Sequence, residues 1–290
     1  MKKIFIFAAT VLAFVSCKPA ISPLENTVNE PMKIHLSMGL ETKVTDTAFE
    51  NGDKVGIYVV HEYGDLLTSG NHYDNIEHSF NGSWVGAETM YWMDKTSPAD
   101  FYCYYPYSDV TDVNAHAFTV AADQSNLQSL KDSDFAWGKA DDVAPSTKMV
   151  DIMTKHVMSS IKVYVEPGDG FTVENFTTMD IKVNLRNVKN SVLINLADGS
   201  VTAQGGNVQM TPYKDNGYYR AIVVPQTVAD GSELIVATVN GTEYILKKGV
   251  TFESGKRYKF TVRVNKTGSG MNVGIGGWEE DGEEYGGSAE

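Results

Sequence analysis

The chain holds only two cysteines, Cys17 and Cys103, and six histidines. That number of thiols builds neither a disulfide framework nor a zinc site from cysteine alone. Cys103 would act as a nucleophile only with a base at hand to take its proton. It stands between Tyr102 and Tyr104 in an aromatic run, where a thiol behaves as a small apolar side chain, and no spacing nominates a base. His61, His72, His78, His116 and His156 are scattered, with no His-Glu-x-x-His helix, no Gly-x-Ser-x-Gly turn and no phosphate loop. Asp132, Asp134, Asp141 and Asp142 crowd one stretch, but the calcium loop with its glycine and closing glutamate is missing, so a solvated loop is expected there. Paired carboxylates of the glycosidase kind are placed by fold and stay open. The expectation is no cofactor, no metal and no enzyme.

Two residues promise chemistry done to the chain instead. Lys2 and Lys3 precede an apolar run, Ile4–Val15, and then Phe14-Val-Ser-Cys17. This is a secretory signal, too short and wrongly flanked to span a membrane. The small residues before Cys17 resemble the bacterial lipobox, in which the cysteine is acylated and becomes the first mature residue. Phe14 departs from the usual leucine, and a plain signal peptide with Cys17 as a bystander is the alternative. Two or more acyl chains would hold the protein firmly, at about 0.8 kcal/mol per buried methylene. Residues 1–16 thus read as signal peptide and 17–31 as a lipid-anchored, proline-punctuated tether. The second residue is Lys43, a basic site in a polar break, open to a protease.

The elements around these residues are strands. Met32, Ile34, Leu36, Met38 and Leu40 fall on one side of an extended chain, and Lys33, His35, Ser37 and Gly39 on the other. Period two marks a strand with one buried face. Val55–Val60, Met90–Trp92 and the aromatic run Asp100–Tyr107 follow, the last expected to be covered on both faces. Asn81-Gly82 between aromatic arms and Asn240-Gly241 between Leu234–Val239 and Thr242–Leu246 are type I′ hairpin signals. Ile181–Leu185 and Val192–Leu196 read as separate short strands. Many short strands with Gly and Asn turns predict an all-β chain, with domains at 32–155 and 156–278 and an acidic tail at 279–290.

The ordered pieces resemble a family. Phe49-Glu-Asn-Gly-Asp-Lys-Val-Gly-Ile-Tyr58 after an alternating first strand is similar to the opening of the fimbrillin-like proteins, the subunits of type V pili. Asp100–Tyr107, Asp123-Gln-Ser125 with Asp134-Phe-Ala-Trp137, Lys155–Ile161, Val224-Pro-Gln-Thr227 and Gly255–Phe260 leading to Trp278 follow in the same order. The resemblance implies two transthyretin-like, Ig-like β-sandwich domains in tandem after a lipoprotein signal, on the outer membrane and cell surface. It also implies a first strand removed by a protease, so that a strand of another subunit fills the groove. The family's cut follows an arginine. Here Lys43 is the only basic residue in the matching loop. Family stalk subunits also end in a long alternating donor strand, which Glu279–Glu290 cannot be, so either Met271–Ile275 donates or this is a tip, accessory or anchor subunit. Tip or accessory is the reading preferred.

The formal charge is −13, and −15 once Lys2 and Lys3 leave with residues 1–16. An acidic surface of that kind argues against nucleic acid and anionic lipid as partners. The expected partners are other pilus subunits by strand exchange and the outer membrane through lipidated Cys17. A second reading is a monomeric surface lipoprotein that binds glycan or a host protein through exposed aromatics, Phe101–Tyr107 or Trp84 and Trp92. Buried aromatics favour the first reading and exposed ones the second.

Overall fold

The computed structural model describes residues 30–41, 48–61 and 63–266, with backbone strands also at 272–275 and 285–288. The first half runs β1 (His35–Leu40), β2 (Lys54–His61), β3 (Tyr73–Phe80), β4 (Trp84–Gly86), β5 (Ala99–Tyr105), β6 (His116–Thr119), α1 (Leu127–Lys131), β7 (Ala136–Val143) and β8 (Met149–His156). The second half runs β9 (Ser159–Pro167), α2 (Val173–Phe176), β10 (Ile181–Ile194), β11 (Val201–Met210), β12 (Tyr213–Asp215) and β13 (Tyr218–Val223). It continues with β14 (Gln226–Val228), β15 (Glu233–Val239), β16 (Thr242–Lys247), β17 (Val250–Phe252), β18 (Arg257–Val264), β19 (Asn272–Ile275) and β20 (Tyr285–Ser288). The chain is all-β, and the two helices among the described residues are single turns.

Three sheets carry the structure. One orders β1-β8-β7-β5-β2-β3-β4; a second orders β11-β10-β15-β16, with β6 paired to β10; a third orders β12-β13-β9-β18. The chain leaves the first sheet after His156, yet β6 from the first half pairs with β10 of the second.

Burial on both faces of the first sheet explains its composition. Phe101 and Cys103 face a smaller core with Val55, Ile57 and Val59. Tyr102 and Tyr104, which point the other way, join a larger core with Leu185, Ile194 and Phe260 from the other sheets. Trp137 cross-links the halves, its indole N–H donating to the Leu196 carbonyl at 2.8 Å. Gly199 has φ of +73°, and a Cβ there would stand 2.5 Å from the Trp137 ring, so only glycine fits under the indole.

Some local expectations hold and others meet correction. Asn240 and Gly241 adopt φ of +48° and +86° between paired Val239 and Thr242, as a type I′ turn requires. The Asn81-Gly82 connection is instead a three-residue loop, because Phe80 pairs with Trp84. Ile181–Leu185 and Val192–Ile194 belong to one long strand, β10. Register shifts between Leu185 and Val188 and again between Lys189 and Ser191 break the alternation midway, and Asn187 turns to φ +57°. In the stretch from Asp123 to Gly138 the helical turn that Leu127 and Leu130 allow is found as α1, but the solvated loop expected around the aspartates holds only in part. Leu130, Ser133, Phe135, Ala136 and Trp137 are buried, and so is Gln124. The Gln124 carboxamide donates to the carbonyls of Ala121 at 3.0 Å and Ile222 at 2.8 Å, and accepts from the Ile222 N–H at 2.9 Å. One buried amide thereby replaces a missing ladder partner at β13. Asp134 pairs with His156 at 2.6 Å. Residues 285–288, inside the expected tail, form a strand paired with β19.

Gln124→Leu keeps the volume but strands the Ile222 amide and both carbonyls. It is expected to cost on the order of 2–3 kcal/mol, read as a lowered urea midpoint. Burial also holds the imidazoles of His78 and His116 below their ordinary pKa, with the Ile76 carbonyl opposing the shift at His78. A depressed folded-state pKa means that the unfolded chain binds the proton more readily. The associated stability is therefore present above the unfolded pKa of about 6.5 and is lost as pH falls through the folded value. The midpoint should decline between about pH 7.5 and 5.5, and less steeply in His116→Phe, which cannot charge; urea titrations across that range check it.

Candidate functional site

β1 is an edge strand, and its neighbour β8 depends on it. The two run parallel, in register from His35 opposite Met149 to Leu40 opposite Thr154. On its other side β8 pairs with β7 only at Lys155 and His156. Among the described residues, Met149–Thr154 therefore takes its ladder partner from β1. The strand begins later than its alternation suggests. Met32–Ile34 is zipped to a different partner, through an antiparallel bridge of Lys33 with Tyr91. The Ile34 N–H donates to the Met90 carbonyl at 2.9 Å, and the Trp92 N–H to the Met32 carbonyl at 2.8 Å.

The alternation places the side chains as the sequence indicates. Ile34, Leu36 and Met38 are buried among Val55, Ile57, Trp92, Phe101, Val150 and Ile152, while Met32 packs at the margin and Leu40 is half-buried. β8 answers with the same period: Val150, Ile152 and Thr154 point in, and Met149 and Met153 are exposed. Each buried apolar side chain of β1 contributes roughly 1.5–3 kcal/mol. Two side-chain bonds hold the strand's end: the Trp84 indole N–H donates to the Met38 carbonyl at 2.9 Å, and the Thr154 hydroxyl to the Gly39 carbonyl at 3.0 Å. Past Leu40 the bed opens into a cavity of about 600 Å³, lined by Phe49, Tyr105, Leu130, Ile222, Arg220 and Arg257 among others. Cys17, the expected lipid site, and Lys43, the expected cleavage site, lie outside the described residues.

The residues that suggested ligand chemistry are used for packing. Phe101, Tyr102, Tyr104 and Trp92 are buried, and Trp84 is partly buried, stacked edge-on against Phe49 at 4.8 Å. Cys103 is fully enclosed and burial pushes its thiol pKa far up, which keeps it protonated. Among the described residues no group of three or more His, Cys, Asp or Glu is arranged to hold a metal ion. The site that sequence reasoning missed is the antiparallel contact of Met32–Ile34 with Met90–Trp92, which is expected as a strand and instead makes an isolated bridge that clamps the start of β1.

Comparison with known proteins gives one consistent answer. A family model described as fimbrillin-like matches residues 42–278, a range that opens just past β1. A Bacteroides uniformis protein assigned as fimbrium subunit Fim1C is 25% identical over 255 residues, covering 82% of this chain and 82% of that one. Two solved structures share the fold, both of proteins assigned to cell adhesion. That from Bacteroides uniformis has a TM-score of 0.66 at 22% identity, over 84% of this chain and 97% of its own. That from Bacteroides ovatus has a TM-score of 0.66 at 19% identity, over 86% and 96%.

Leu36→Ala and Met38→Ala should each destabilise the intact chain by about 2–5 kcal/mol. His35→Ala, on the exposed side of the same strand, should stay within about 0.5 kcal/mol. Chemical denaturation of the three variants tests whether β1 is part of the folded core.

Proposed function

Because the chain belongs to the fimbrillin-like family, we propose that it is a structural and adhesive subunit of a cell-surface fimbria, assembled by exchange of its first strand. The observation that carries this reading is the position of β1. It is buried like a core strand, yet it lies at a sheet edge, at the N-terminal end of the fold, directly before Lys43. Its loss would expose the Val150–Ile152 side of the core and an unpaired β8, a template for pairing with another chain. An incoming strand with apolar residues at alternate positions would restore both the ladder and the packing, as in donor-strand complementation. The fimbrium and adhesion assignments of the relatives point the same way.

The finer parts belong to the same proposal. Cys17 is the lipid attachment point at the outer membrane, Lys43 the processing site, and the subunit sits at the tip or in an accessory position. The division into tandem sandwiches at 155/156 draws support from the change of sheet after His156, while β6 and the shared core tie the halves together. The burial of Trp92 and of the Phe101–Tyr104 rings disfavours a glycan site on those aromatics.

The test is limited digestion of the folded chain with a lysine-specific protease. Cleavage after Lys43 before other lysines is expected, after which the trimmed protein should form multimers that an excess of a synthetic peptide spanning residues 31–41 suppresses. Protection of Lys43 while other lysines are cut, or a trimmed protein that stays monomeric and ignores the peptide, overturns the reading.

A further inference from the structure

Among the described residues three methionines are exposed, Met93, Met149 and Met153, the last at 55%. Met38, Met90, Met158 and Met210 are buried. Met149 and Met153 stand on the outward side of β8 with Asp151 between them, and their cross-strand partners in β1 differ. Met149 lies opposite His35, and Met153 opposite Gly39. A Cβ on Gly39 would stand 2.7 Å from the Met153 Sδ and 3.1 Å from its Cε. The thioether therefore lies across the bare backbone of Gly39, in room that any other side chain would fill.

The backbone beneath that side chain has no room to retreat. On β7, a Cβ on Gly138 would collide with the Met153 carbonyl group and stand 2.8 Å from the Thr154 Cα. β8 lies between β1 and β7, so Met153 is wedged between Gly39 on one side and Gly138 on the other. The same place is the end of β1. The Gly39 carbonyl accepts from the Thr154 hydroxyl at 3.0 Å, and the Glu41 N–H donates to the Thr154 carbonyl at 2.6 Å. A change in the thioether thus acts beside the last bonds that hold the strand.

We propose that Met153 is an oxidation site that sets how firmly the end of β1 is held, the oxidant being hydrogen peroxide. A lone pair of Sδ attacks one peroxide oxygen; the S–O bond forms and the O–O bond breaks. The hydroxide that leaves takes the proton of the transferred hydroxyl and departs as water. The thioether is oxidised by two electrons to a sulfoxide, and the peroxide is reduced. The product is polar and chiral where the thioether was apolar and pliant. Its S–O group is drawn to water, and with the backbone pinned at Gly138 the side chain turns off Gly39. The end of β1 then loses its cover and opens more often. Met149, whose partner is not a glycine, undergoes the same reaction without this consequence. The assignment goes beyond fimbrial assembly and does not depend on strand exchange, because it is read on the uncut chain.

The experiment treats the uncut full chain with dilute hydrogen peroxide, locates the added oxygen by peptide mass spectrometry, and follows amide hydrogen exchange in residues 35–41. Met93, Met149 and Met153 should each gain one oxygen before Met38, Met90, Met158 and Met210 do. Exchange in 35–41 should rise by about threefold or more while β10 and β18 stay unchanged, and treatment with methionine sulfoxide reductases A and B should reverse the rise. Oxidised Met153→Leu should show no rise, although its Met93 and Met149 still react. The double variant Met93→Leu with Met149→Leu should show the full rise, and it decides the matter if Met153→Leu fails to fold. Met153 left intact while buried methionines react, exchange in 35–41 unchanged once Met153 is oxidised, or an equal rise in Met153→Leu overturns the proposal. A rise of the same size in β10 and β18 marks general loosening and overturns it as well.

Discussion

Residues Met149–Thr154 of β8 carry a row of backbone donors and acceptors that β1 alone engages from a neighbouring strand among the described residues. An unpaired ladder beside an apolar core is costly and invites association. The arrangement of the first half follows from meeting that need. Ile34, Leu36 and Met38 close the smaller core, Met90–Trp92 clamps the strand's start, and Trp84 and Thr154 hold its end. The contacts that make the strand stable are the ones a replacement strand would have to reproduce.

The rest of the molecule does not rest on those contacts. The larger core joins all three principal sheets and includes none of the β1 side chains. Gln124, Trp137 and β6 fasten the first half to the second through bonds that do not pass through β1. The proposed exchange of β1 would require this separation, since the remaining fold would have to keep its shape while the groove stood open.

The two halves present different surfaces. Around β1 the outward side chains are polar or methionine, with Met149 and Met153 exposed on β8. The third sheet turns out cations and stacked tyrosines. Three of the chain's four arginines stand on that sheet, Arg220 and Arg257 lining the cavity and Arg263 paired with Glu166.

Period-two alternation, Asn-Gly turns and scarcity of helix signals were enough to establish an all-β chain, the buried side of Met32–Leu40 and, within Asp100–Tyr107, the two-sided burial of Phe101–Tyr104. Those features are legible because side-chain direction along an extended chain, and φ in a turn, are set by the nearest few residues. Pairing is different, since it joins segments far apart in the chain. Only the tertiary structure decided that β1 runs parallel to β8, that a bulge at Asn187 fuses two apparent strands into β10, that Gln124 is a buried bracket, and that Lys259, Lys162 and Arg220 form one row. Register between distant strands depends on how whole faces pack, and no local window of sequence contains that information.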